Sequence, residues 1–91
     1  MNDCQGRGKL TREGAHVATV EYAVQSEPNA TSNVIHGDLE VVEGQKNLPI
    51  NDQFTLHMEG CLQLDFLVEQ VTDPDRGRYH FRGVGAFRKS P

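Results

Sequence analysis

Seven side chains near the two ends of this chain share the chemistry needed to hold an anion: Lys9, Arg12, Arg76, Arg78, His80, Arg82 and Arg88. Guanidinium groups offer paired hydrogen bonds to a carboxylate or phosphate, and lysine adds a mobile point charge. Their placement is uneven. Eight of the nine lysines and arginines fall in residues 1–12 or 76–89, beside a single acid, Asp3. Residues 13–75 carry the other twelve acids against Lys46, a net charge of −11 inside a chain of net charge −4. Clustered positive potential on an acidic body draws anionic partners. The competing use of the same residues is neutralisation, with Arg78 and Arg82 facing acids such as Asp65 and Glu69 across a ladder.

Other reactive side chains are scattered. Four histidines, His16, His36, His57 and His80, show no HxH or HExxH spacing, and the two cysteines, Cys4 and Cys61, are far apart. Metal sites and acid–base pairs need such ligands brought together, so His36, His57 and His80 read as solvated surface residues. A small secreted scaffold carries a denser cysteine framework, so both thiols read as free. Cys61 follows an acidic turn, the wrong neighbourhood for a nucleophilic thiolate. Asn29-Ala30-Thr31 matches a glycosylation acceptor, which has meaning only in a secreted chain. Gly6-Arg7-Gly8 is too short for a phosphate loop, and no helix follows it.

The elements that must position these groups are strands. Hydrophobic residues recur with period two. Ala18, Val20, Tyr22 and Val24 share one face, as do Ile35, Leu39 and Val41, then Phe54, Leu56 and Met58. Leu62, Leu64, Phe66 and Val68 follow the same rule, as do Tyr79, Phe81 and Phe87, and Leu10 represents a short first strand at Lys9–Arg12. The intervening residues are polar, which describes antiparallel sheet with one wet and one buried face. His16 falls on the inward parity. It lies either at an open mouth or, through a bulge at Val17-Ala18, on the outside. Glu13-Gly14 and Glu59-Gly60 read as two-residue hairpin loops, and Asp73–Gly77 as a longer turn. Residues 43–53 form a looser connection in which Leu48 and Ile50 can tuck back as a cap.

Gly83 and Gly85 interrupt the last strand at inward positions, where glycine marks a bend or a close approach. A bend there would curl the last strand toward the first and remove exposed edges. The expected fold is therefore all-β: one small antiparallel meander of about six strands curled into a closed or partly open barrel. Residues 1–8 are expected to form a flexible N-terminal arm and residues 9–89 a single barrel-like domain. Six strands enclose only enough room for side chains, which argues against an internal ligand pocket.

The function these observations favour is a non-enzymatic binding or adaptor module. It would contact a protein partner through a basic patch where first and last strands meet, or a second copy by strand pairing at an unclosed edge. The alternative is a nucleic-acid or nucleotide binder using the same arginines. The pI of about 5.4 and the inward-facing aromatics, which leave no row on which bases can stack, count against it. An enzyme with a site at a barrel mouth ranks third. No cofactor and no metal are expected, nor any association with a membrane. The N-terminus has no apolar signal stretch, so the expected location of this soluble chain is cytoplasmic.

Overall fold

A computed structural model describes residues 2–28, 33–60, 62–85 and 87–89. It is all-β, with seven antiparallel strands: β1 (Asn2–Arg12), β2 (Ala15–Pro28), β3 (Asn33–Gly44), β4 (Gln53–Met58), β5 (Leu62–Asp73), β6 (Arg78–Gly83) and β7 (Arg88–Lys89). Six close into a barrel in the order β1-β2-β3-β6-β5-β4, with β4 returning to β1, and β7 adds two residues alongside β5. The barrel consists of two three-stranded meanders, β1–β3 and β4–β6, joined at the β3–β6 and β1–β4 seams.

The period-two pattern defines the interior. Leu10, Ala18, Val20, Leu56, Leu64, Phe66, Val68 and Phe81 are fully buried, and Tyr22, Val24, Ile35, Leu39, Val41, Phe54, Met58 and Tyr79 are nearly so. Phe66 stacks at 6.0 Å on Phe54 and tilts against Phe81 at 4.6 Å, which centres the core on aromatic contacts. Leu62 and Phe87 are only partly buried, packed at the margin of this cluster. Of the two candidate cap residues, Leu48 is buried and Ile50 is exposed. Tyr79 explains the difference. Its hydroxyl accepts the Leu48 N–H at 2.9 Å and donates to the Lys46 carbonyl, holding the crossover against the barrel.

The turns follow their chemistry. Arg12 pairs with Ala15 across a two-residue loop in which Glu13 and Gly14 both have positive φ, 52° and 83°. That combination is a type I′ turn, whose twist matches a hairpin. Asp73–Gly77 turns with Gly77 at φ 67°. The Glu59-Gly60 loop is longer than the sequence suggested, because Met58 pairs with Leu62; Cys61 lies outside the described residues. The register shift between Leu10 and Thr11 leaves Val17 unmatched, a bulge that turns His16 outward, where it is exposed.

Two expectations need correction. The first strand starts at Asn2, not Lys9, and pairs with β2 along its whole length, so residues 2–8 are part of the sheet rather than an arm apart from it. The glycines of this stretch obscured it, since a strand with few side chains shows no alternation to read. Also, first and last strands do not meet. The chain does bend after Gly83, with Gly85 at φ 78°, but the bend returns β7 to the start of β5. Around the closed barrel, β1 and β6 are three strands apart in either direction. Alternation states which face a residue occupies and is silent on which strands are neighbours; the crossover from β3 to β4 decides that.

Candidate functional site

The seven basic candidates divide into separate groups because β1 and β6 lie on opposite sides of the barrel. Lys9 and Arg12 stand on β1, beside β4. Arg78, His80 and Arg82 stand on β6, between β3 and β5. Arg76 is in the turn before β6, and Arg88 is on β7 beside β5. The continuous basic seam expected from the sequence therefore does not form.

Most of these charges already have partners. On the outer face of β3 and β6, Arg78 lies 3.1 Å from Glu40, and His80 Nδ1 lies 3.1 Å from Asp38. Each is a direct cross-strand pair in the register. The next pair in the row sets His36 opposite Arg82, and the His36 and His80 rings are 5.8 Å apart. Arg12 reaches Asp52 at 2.9 Å and lies over the Phe54 ring at 5.7 Å. Arg76 is 3.9 Å from Asp73. Arg88 donates to Asp65 at 2.8 Å, and Thr55 donates to the same carboxylate oxygen at 2.7 Å. Arg7 meets Glu21 at 3.0 Å. Lys9 and Arg82 have no ion-pair partner among the described residues. Five of the six arginines therefore lie in ion pairs with carboxylates, Arg7 and Arg78 with the residue opposite on the neighbouring strand. The acids serving β6 come from β3, not from Asp65 and Glu69 of β5.

His57 has a neighbour that the sequence did not signal: its Nε2 lies 2.9 Å from the Thr11 hydroxyl across the β1–β4 seam. This pair has the elements of an activated hydroxyl but sits on the outer face of two strands. A hollow touching Thr11 is an open one lined by Arg12, Glu13, Gln53, Phe54 and Thr55, and His57 is not among its lining residues. Among the described residues no three histidines, cysteines or acids converge as metal ligands. Among the described residues the exposed large apolar side chains are Val42, Ile50, Val71 and Val84, on separate segments. Cys4 is a free, exposed thiol. The candidate glycosylation stretch, Asn29 to Thr31, lies outside the described residues. Among the described residues no helix is long and apolar enough to cross a membrane.

The least satisfied part of the fold is backbone. β4 pairs with β1 only at Lys9, Leu10 and Thr11. Toward the N-terminus, β1 pairs on one side alone, with β2. The direction of its free groups follows from one contact: the Arg7 N–H points away from β2 and donates to Glu59 Oε1 at 3.3 Å. In an antiparallel pair, successive residues aim their N–H and C=O groups at alternate sides. Asp3 and Gln5 therefore present theirs to the same side as Arg7, and no described strand lies beyond them. The open edge runs from Asn2 to Gly6 and ends where Glu59 covers Arg7. Tyr22 positions that acid by accepting the Glu59 N–H at 3.1 Å.

No protein-family model, no curated protein and no solved structure matches this chain, so its site is read from its own geometry.

Proposed function

We propose that this chain is a non-enzymatic protein-interaction module that takes an extended segment onto the open edge of β1. The observation that supports it is the row of outward backbone groups on Asp3 and Gln5, along a stretch of β1 that among the described residues has a strand, β2, on one side alone. An edge of this kind binds by main-chain hydrogen bonding and extends the sheet by a strand. Natural proteins blunt unused edges with proline, lysine or bulges. Between Asn2 and Gly6 there is none of these, only the single charge of Asp3. The five residues span about 17 Å at strand spacing, enough for a short strand.

The alternative, a nucleic-acid binder, has less behind it. Carboxylates answer Arg7, Arg12, Arg76, Arg78 and Arg88, and the six buried or partly buried aromatic side chains of the interior are unavailable for stacking.

Gln5→Pro tests the proposal. Proline is tolerated on a sheet edge, where the lost donor faces solvent. The variant should keep the barrel and lose capture. Extended peptides selected from a displayed random library by the wild-type chain should fail to bind Gln5→Pro. A library that yields no binder, or binders that the variant retains, would overturn the reading.

A further inference from the structure

We infer that the strand completing this edge is the β1 strand of a second copy of this chain, paired antiparallel about Cys4. This rests on the strand-capture reading and names its partner. The register follows from which backbone groups are free. Outward groups lie at odd positions, and the Arg7 N–H is taken by Glu59, so Asp3 and Gln5 are the residues able to exchange hydrogen bonds. Pairing Asp3 with Gln5 of the partner subunit, and Gln5 with Asp3 of the partner subunit, uses these groups and stops short of Arg7. The two-fold axis then passes between the Cys4 residues.

This arrangement is closed and isologous, because each copy offers the same segment to the other. Cys4 stands opposite Val24 of β2, and the alternation fixed by the Arg7 N–H turns its backbone groups toward β2, so across the new seam it occupies a non-hydrogen-bonded position. Residues facing each other there have Cα atoms about 4.5 Å apart, within the roughly 4.4–6.8 Å that a disulfide spans. Cys4 is exposed and free, so it reports the register directly. Three strands from each copy would join into one six-stranded sheet, with β1 no longer at an edge. Each chain carries a net charge of −4. Two copies repel at low ionic strength, and salt screens that repulsion. Association through β1 should therefore strengthen with salt, whereas a contact driven by the arginines would weaken.

The experiment uses the full chain with Cys61→Ser, leaving Cys4 as the sole thiol. Mass is followed by sedimentation from about 1 µM to about 1 mM, the range of weak association. The expected result is a rise from 10.1 kDa toward twice that value, reached at lower concentration in higher salt and abolished by Gln5→Pro. Diamide, which takes up the two electrons and two protons lost by a pair of thiols, should join the two Cys4 sulfurs rapidly in the parent and at least tenfold more slowly in Gln5→Pro. A chain that stays monomeric to the top of the range and cross-links no faster than Gln5→Pro overturns the second-copy inference. In that case peptide capture lost in Gln5→Pro would still uphold the edge itself. A dimer that Gln5→Pro leaves intact overturns the inference, because the contact is then elsewhere. A Gln5 amide already protected from hydrogen exchange in the dilute monomer overturns the edge reading on which it rests.

Discussion

Tyr79 shows how much of this fold depends on single polar atoms. Its ring belongs to the core, while its hydroxyl accepts from the buried Leu48 N–H and donates to Lys46. Replacing it with phenylalanine preserves the shape but orphans that N–H, at a cost of about 1–3 kcal/mol. Chemical denaturation of Tyr79→Phe should give a lower midpoint with an unchanged slope, and residues 45–50 should exchange amide hydrogens faster. Gly8 is a second sensitive point. A Cβ there would collide with the His57 carbonyl oxygen, which lies against β1 at the barrel seam. Overpacking of this kind costs about 1–3 kcal/mol. Gly8→Ala should destabilise the barrel and expose the amides of the β1–β4 seam first. Arg78→Ala should differ: the arginine is exposed and its partner Glu40 partly so, and surface pairs of this kind contribute about 0–1 kcal/mol. A midpoint shift larger than that of Tyr79→Phe would contradict this ranking.

Among the elements, β1 has two regimes. Residues 9–11 are paired on both sides and lock the barrel, while residues 2–6 are paired on one. Backbone direction alternates within this half-paired stretch, which makes a sharp expectation for hydrogen exchange. In dilute solution the amides of Asp3 and Gln5 should exchange much faster than those of Cys4 and Gly6, which face β2. Equal protection along the four residues would mean that something covers the edge. β6 teaches a related lesson about side chains. Its three outward basic residues stand opposite two acids and a histidine of β3, so the strand's charge is largely answered within the sheet. What made these residues look like a binding site in the sequence, their density in one short segment, is the same density that a cross-strand ladder needs.

For the molecule as a whole, charge is spread around the barrel, and carboxylates answer five arginines: Arg7, Arg12, Arg76, Arg78 and Arg88. The two ends of the chain, rich in arginine and lysine, lie on opposite sides of the barrel. A chain of net charge −4 with five of its six arginines paired to carboxylates should bind single-stranded oligonucleotides weakly even in low salt. Titration with a labelled oligonucleotide at low ionic strength should show no saturable binding below about 100 µM, the strength of ordinary non-specific contacts. Tight, strongly salt-dependent binding would instead favour the nucleic-acid reading and place Arg82 and Lys9 first among the residues to change.

Read in order along the chain, the alternation from Ala18 to Phe81 is enough to establish strands and their buried faces, because burial of every second side chain is a local property of pleated backbone. Leu64, Phe66 and Phe81 are buried as that pattern requires, and the Glu13-Gly14 turn follows from its residues. The neighbours of each strand were not legible. Whether β6 faces β1 or β3 depends on the path of the crossover through Lys46 and Leu48 and on the bend after Gly83, which are long-range packing choices. The open edge was hidden for the same reason. Gly6 and Gly8 carry no side chain to alternate, and the absence of a neighbour beyond Gln5 exists only once every other strand has taken its place.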